Sequence, residues 1–323
     1  MKDFYYELVE IESVIKADDF KDEYVYDLEV DGTHTFFAND ILVHNSLYIE
    51  TAGICKQLGI SDSDAAKFVS ELWKYGLGPY MDKCYETYAK KWNCNENVEQ
   101  LELEKISQTV IMLAKKHYAL EVSWEEPGIF LEPLEDIVYK GVEMNQRSTP
   151  KYAKECQEDF YKFVFEYYRK HSAKPSYTDI IAKLTKYKEK FLIQDPKDIS
   201  KGSTIGDYEK FILEDKNNLS IGLHCPIHVK GAGIANFILN KNPKYKSKYN
   251  YIKSGDKVKF YYCEDPRYDV FAFNPEKFPI EYAPKINYDL TFEKNILDPL
   301  NRVIEALGYN PVNSNLCYSI ALF

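Results

Sequence analysis

The chain has seven cysteines but no Cys-x-x-Cys pair. Cys55, Cys84, Cys94, Cys156, Cys225, Cys263 and Cys317 are odd in number and widely scattered, which indicates neither a disulfide framework nor a zinc ribbon. His224-Cys225-Pro226-Ile227-His228 has metal-binding residue types but no second ligand pair nearby, so these read as structural residues. A signal peptide and any apolar run near membrane-spanning length are also missing, and the expectation is a reduced, cytoplasmic protein. Basic residues are in deficit, 41 Lys+Arg against 51 Asp+Glu, a formal net charge of −10. Taken whole, that balance speaks against nucleic acid as a partner, because neutralising phosphates needs clustered Lys and Arg.

What is present is an ordinary globular composition, 45% hydrophobic and 28% charged over 323 residues, enough for two or three domains with their own cores. The acidity is local. Residues 1–45 hold three basic and twelve acidic groups, a net of −9, which leaves the remaining 278 residues at −1. Within that body, Lys230 to Lys259 contains eight lysines and a single acid, Asp256. Such a run is either a solvated face or a phosphate-tracking surface.

Near the N-terminus, Tyr24–Val30 alternates as a strand, Asp31-Gly32 makes a turn, and Thr33–Ala38 is extended again. Asn39-Asp40 is a second turn, and Ile41-Leu42-Val43 forms a short strand leading into His44-Asn45-Ser46. The string Val25–His34 followed by Phe37–Ser46 resembles the closing motif of the C-terminal half of an intein. That resemblance implies a small all-β module in which Asn45 cyclises onto its own carbonyl and cuts the chain after itself. It assigns His44 and His34 to positioning the carbonyl and moving protons, and Ser46 to accepting the upstream protein as an ester. Asp27 occupies the place of an aspartate that coordinates the two ends of the reaction. With Met1 only 45 residues before the junction, a split intein is expected, its N-terminal half carried by another polypeptide. The −9 charge of residues 1–45 predicts a basic surface on that partner.

Beyond the junction, Ser46–Glu50 reads as a strand. Ser61 to Trp92 reads as amphipathic helix with Ala65, Phe68, Val69, Leu72 and Trp73 on one face, broken near Gly76 and Gly78. Leu101–Ile106, Val110–Leu113 and His117–Trp124 read as three strands. Ala114-Lys115-Lys116-His117-Tyr118 resembles the Lys-Lys-Arg-Tyr motif of family B DNA polymerases, with His117 where that family often has Arg. Tyr139-Lys140-Gly141-Val142-Glu143 with Arg147 resembles the Lys-Gly-x-Glu segment that follows it. Ser46-Leu-Tyr-Ile-Glu is then the downstream half of that family's last catalytic motif, Asp-Thr-Asp-Ser, and the upstream half has to come from the partner. The resemblance implies DNA contacts from Lys115, Lys116, His117, Tyr118, Lys140, Gly141 and Arg147. Glu104 is its candidate metal ligand.

Pro150 opens a helix to about Lys170, with Tyr152, Cys156, Phe160, Phe163, Val164 and Tyr167 on one face. Ser176–Asp179 caps a second helix running through Lys190. The His224–Gly231 cluster precedes an apolar helix from Ile234 to Leu239 and resembles a thumb segment of T-even phage polymerases, which implies DNA-backbone contacts from His228 and Lys230. Gly231 and Gly233 permit close backbone approach. Val258–Tyr262 reads as a strand and Thr291–Leu307 as an amphipathic helix. The apolar tail, with Leu316, Tyr318, Ile320, Leu322 and Phe323, fits either a sliding clamp or the thumb's own core.

The combined expectation is an α+β chain: a half-intein at 1–45, the rear of a polymerase palm at 46–145, and a mainly helical thumb at 146–323. Its implied partners are the polypeptide with the N-terminal intein and polymerase parts, primer–template DNA and a sliding clamp. Mg2+ at a site completed by the partner and deoxynucleoside triphosphates complete the set. The alternative is a non-catalytic DNA-binding or clamp-adaptor subunit that associates without ligation.

Overall fold

The computed structural model describes residues 35–38, 41–44, 49–94, 101–114, 116–214 and 217–318, the first two segments by their backbone. Two compact units emerge, Met1–Ile54 with Lys74–Glu102, and Cys55–Trp73 with Leu103–Phe323. No helix among the described residues is long and apolar enough to cross a membrane. Helices and strands are mixed, as an α+β chain requires.

In the first unit, β1 (Thr35–Ala38) and β2 (Ile41–His44) pair antiparallel from Thr35↔His44 to Ala38↔Ile41. That register leaves two residues between the strands, the expected hairpin spacing. Ile49 and Glu50 are exposed and not in a strand, which corrects the extended reading of that pair; Ser46, Leu47 and Tyr48 lie outside the described residues. Of the helices that follow in the chain, α1 (Ala52–Gln57) crosses the division at Ile54/Cys55, α2 (Asp62–Leu72) belongs to the second unit and α3 (Gly78–Lys91) to the first. The break expected near Gly76 and Gly78 is a π-helical turn, Trp73–Leu77. Helix α3 buries none of its side chains, and Tyr80, Tyr88 and Trp92 are 63%, 55% and 57% exposed. Of the apolar face expected on α2, Phe68, Val69 and Leu72 are only half-buried.

The second unit begins its sheet with β3 (Lys105–Ala114) and β4 (His117–Glu125), joined on the far side of β4 by β5 (Ile129–Phe130) and β6 (Ile137–Lys140). The two strands expected at 101–106 and 110–113 are one. A bulge at Ser107 shifts the register, and the Ser107 hydroxyl satisfies it by bonding the carbonyls of Thr109 (2.8 Å) and Glu121 (2.7 Å). Because a bulge reverses which residues face the core, the alternation in sequence stops there and resumes out of phase.

Pro150 stands at the N-cap of α4 (Lys151–His171), whose Tyr152, Cys156, Phe160 and Val164 are buried; Phe163 and Tyr167 are half-buried. Ser176 and Asp179 form a reciprocal capping box on α5 (Tyr177–Phe191). Then come α6 (Pro196–Ile199), β7 (Lys201–Thr204), α7 (Tyr208–Phe211), β8 (Ile212–Glu214) and β9 (Leu219–Ile221). Helix α8 runs Ile227–Lys241, seven residues earlier than expected, because Pro226 supplies its start. Strands β10 (Lys257–Tyr262) and β11 (Val270–Phe273) pair with β7 in the order β11-β10-β7. Gly231 lets α8 lie on β11, since a Cβ there would sit 3.0 Å from the Ala272 amide nitrogen. The close approach expected of this glycine is thus made by the protein's own strand. The helix expected from Thr291 is α9 (Tyr288–Phe292), a π-helical turn Glu293–Leu297, and α10 (Asp298–Ala306).

One hydrophobic core runs from Ile111 and Ala119 on β3 and β4, through Phe160, Phe165 and Phe191, to Phe271, Phe292 and Leu300. Two buried charges fix its edges. Arg169, at the end of α4, pairs with Glu121 on β4, whose side chain is 3% exposed and also accepts the Leu134 amide at 3.2 Å. Burial lowers the Arg169 pKa. Lys188 of α5, 3% exposed, donates to Ser314 Oγ (2.8 Å), the Ser314 carbonyl (2.9 Å) and Asp289 (2.7 Å). Its ammonium lies 3.5 Å from the Tyr318 ring centroid, and the Tyr318 hydroxyl donates to Asp289.

The Lys188 hydrogen bond, with those of Tyr318 and Ser314, holds the Asp289 carboxyl below its ordinary value of 3.8. A carboxylate so depressed stabilises the fold above its unfolded pKa, and that contribution is lost as pH falls through the folded value. Thermal unfolding followed against pH is expected to show an acid limb below about pH 4 that Asp289→Asn flattens. Lys188→Met, which leaves buried acceptors unpaired, is expected to cost about 1–3 kcal/mol in a denaturant titration.

Candidate nucleic-acid interface

The β3–β4 hairpin turns sharply enough that Ala114 faces His117, and Lys116 in the turn takes a left-handed φ of 63°. On the other side of β4, β6 pairs Tyr118 with Lys140 and is followed by Gly141, also left-handed at φ 63°. A Cβ on Gly141 would lie 2.4 Å from the Lys116 carbonyl oxygen and 2.7 Å from His117 Cδ2. The two backbones therefore touch where only glycine fits. This seam brings Lys116, His117, Tyr118, Lys140 and Gly141 to one end of the sheet. Tyr118 is buried there, while Lys116 and Lys140 are exposed. Lys115, the residue before Lys116 in sequence, lies outside the described residues.

The chain leaving Gly141 is tied down at each step. A 3-10 turn, Glu143–Asn145, is held by the Asn145 amide donating to the Tyr139 carbonyl (2.8 Å) and by Thr149 Oγ1 donating to the Glu143 carbonyl (2.5 Å). The Gly202 amide on β7 donates to the Ser148 carbonyl at 2.8 Å. Arg147, one residue earlier, is exposed on this bridge between the two sheets. Three cationic side chains thus protrude from a short, well-anchored ridge, an arrangement suited to phosphate oxygens.

Elsewhere the expected contacts are differently placed. His228 is half-buried in the first turn of α8 with its ring centroid 6.3 Å from that of Phe260, and burial lowers its pKa from 6.5. Lys230 is ion-paired with Asp269 at 2.7 Å, so its charge is already answered. Lys259 is half-buried, donates to the Lys197 carbonyl, and has its pKa lowered by burial. Glu104 is exposed just ahead of β3, and its backbone carbonyl accepts the Glu126 amide at 3.1 Å. No group of three or more His, Cys, Asp or Glu able to hold a metal occurs among the described residues.

His44 closes β2 opposite Thr35; Asp27, His34, Asn45 and Ser46 lie outside the described residues. In the tail, Leu316 is 47% exposed, Cys317 is buried, and Tyr318 belongs to the Lys188 anchor; Ile320, Leu322 and Phe323 lie outside the described residues. Lys188 and Asp289 were not singled out in the sequence, where a lysine in a lysine-rich helix carries no mark of burial.

The sequence profile of DNA polymerase family B matches residues 83–307. That range contains every expected DNA contact and Glu104, and stops short of both the Asn45–Ser46 junction and the tail. The DNA polymerase of Thermococcus hydrothermalis is 25% identical over 294 residues, covering 89% of this chain and 14% of that protein. The DNA polymerase of Thermococcus aggregans is 26% identical over 292 residues, covering 88% and 13%. For the DNA polymerase of Thermococcus litoralis the figures are 25% over 312 residues, 95% and 15%, so its aligned stretch runs into the first 45 residues. The chain spans about one seventh of the length of these curated relatives.

Gly141→Ala combines a left-handed backbone with a backbone clash and is expected to destabilise the second unit by about 2–4 kcal/mol. Gly206, with an ordinary φ and nothing within 4 Å of a Cβ, is the control. Gly206→Ala is expected to be neutral or slightly stabilising when urea midpoints of the variants are compared.

Proposed function

Because the chain belongs to DNA polymerase family B, we propose that it forms the C-terminal palm end and thumb of such an enzyme, carried behind the C-terminal half of a split intein. Residues 46–145 supply the palm end and residues 146–323 the thumb. The observation that carries the polymerase reading is the glycine seam. The two segments that resemble polymerase DNA-contact motifs meet at Gly141 and present Lys116 and Lys140 together.

Three further observations support the reading. Helix α3 leaves Tyr80, Tyr88 and Trp92 exposed with no side chain buried, as a helix does whose packing surface lies on another polypeptide. The β1–β2 hairpin has the two-residue spacing of the intein closing motif and ends at His44, beside the proposed junction. The relative from Thermococcus litoralis aligns on both sides of Asn45–Ser46.

In the proposed splicing, the Ser46 hydroxyl takes over the upstream acyl group as an ester. The Asn45 side-chain nitrogen then attacks its own carbonyl carbon, forming a succinimide and releasing the Ser46 amine, which reclaims the acyl group as a peptide bond. His44, His34 and Asp27 position these groups and carry the protons. In the ligated enzyme, Mg2+ supplies two-metal activation of the primer hydroxyl and the deoxynucleoside triphosphate, at a site whose aspartates come from the upstream part. This chain's share is to hold the primer–template through Lys115, Lys116, His117, Tyr118, Lys140, Gly141 and Arg147. A sliding clamp is the proposed partner for the segment beyond Tyr318.

Mixing this chain with a polypeptide carrying the N-terminal intein and polymerase parts is expected to give one ligated product that extends a primer. Asn45→Ala and Ser46→Ala are each expected to abolish the product on a denaturing gel. Ligation that survives both substitutions contradicts the splicing chemistry. Primer extension by the unligated pair favours a subunit that associates without splicing.

A further inference from the structure

Glu143 has the wrong sign for the ridge on which it stands. It is the single acid between Asp136 and Glu155, in a stretch that also holds Lys140, Arg147, Lys151 and Lys154. It comes two residues after Gly141 and four before Arg147, so its charge falls among the cations of the ridge. The backbone cannot carry the carboxylate away. The Glu143 carbonyl accepts Thr149 Oγ1 at 2.5 Å and the Gln146 amide at 2.9 Å, which pins the turn in place.

The carboxylate is answered from the last long helix. Helix α10 turns Leu300, Val303 and Ile304 into the core, and its Arg302 brings Nη2 to 3.4 Å from Glu143 Oε1. Arg302 is 57% exposed at this contact and Glu143 only 20%, so the acid is the more enclosed partner. Buried Tyr161, whose ring centroid is 5.3 Å from that of Tyr139, lies among the same charges: burial raises its pKa, Arg302 opposes the rise and Glu143 adds to it. The acids on α10 itself are Asp298, held by Lys294 at 3.0 Å, and Glu305. Among the described residues, the carboxylate that pairs with Arg302 is that of Glu143.

An ion pair this exposed adds little to folding, and its consequence lies in the field at the ridge. We infer that Arg302 is a positioning residue for the candidate interface: by holding the Glu143 carboxylate, it leaves Lys140 and Arg147 free for a polyanion. The inference rests on the polymerase reading and adds to it a residue that acts without touching DNA. Glu143 is the nearest acid in sequence to both cations, three residues from one and four from the other. Released from Arg302, its carboxylate repels phosphate and competes with it for the same donors. Held, it leaves the ridge with uncompensated positive charge.

The test is binding of a labelled primer–template duplex by the full chain, followed by fluorescence anisotropy across a potassium chloride series. Arg302→Gln is expected to weaken binding about five- to tenfold near 0.1 M salt and to lower the salt slope by about 0.9, the share of one phosphate contact, although no contacting cation has been removed. Arg302→Lys, which keeps the charge, is expected to restore both. Glu143→Gln is expected to make Arg302 dispensable, so that the Glu143→Gln, Arg302→Gln double variant matches Glu143→Gln alone in affinity and slope. Circular dichroism of each variant separates lost binding from lost folding. An unchanged slope in folded Arg302→Gln, with the parent chain binding duplex, overturns this inference alone. A loss that persists in the double variant also overturns it, because Arg302 then meets phosphate itself. A parent chain that does not bind duplex overturns the polymerase reading, and this inference with it.

Discussion

A glycine and a carbonyl oxygen set the geometry on which the candidate interface depends. Gly141 lies so close to the Lys116 carbonyl that no side chain can stand between them, and both residues adopt a left-handed backbone. That contact holds β6 on β4 at the hairpin tip, and β4 is the strand from which the rest of the second unit is built. Ala119 on β4 is fully buried in the core that continues through α4 and α5 to α10. Glu121, two residues on, receives Arg169 from the far end of α4 and so sets the helix against the strand. The exposed lysines at the tip are consequently mounted on a scaffold that cannot shift independently.

Charge has two separate uses in this chain. Arg169, Lys188, Lys230 and Lys259 are drawn inward or paired, where they satisfy carboxylates and carbonyls. Lys116, Lys140, Arg147 and the lysines from Lys241 to Lys257 remain exposed. The net charge of −10 conceals this division, because residues 1–45 alone carry −9. The body that the family profile matches is close to neutral overall and locally basic, which removes the objection to a polyanionic partner.

Much of this was legible in the sequence where local chemistry decides structure. Pro150 and the Ser176–Asp179 box fix the starts of α4 and α5, and the two polymerase-like segments do meet. The bulge at Ser107 was not legible, since a hydroxyl that bonds two carbonyls looks in sequence like any serine within a strand. The early start of α8 had a signal in Pro226, outweighed by the polar residues that follow it. Lys188 had none, because its burial depends on Asp289, Ser314 and Tyr318, all more than a hundred residues away. The amphipathic pattern of residues 61–92 marks an apolar face, yet α3 buries none of its side chains; periodicity reports that a face is apolar, and not what covers it.

The most direct test of the glycine seam as a DNA-contacting tip is the salt dependence of primer–template duplex binding. The logarithm of affinity against the logarithm of salt concentration is measured for the full chain and for the Lys116→Ala, Lys140→Ala double variant. Each lysine that meets a phosphate contributes about 0.9 to the slope, so a reduction of about 1.8 is expected. A slope that does not change, with the variant folded, contradicts a phosphate-contacting tip.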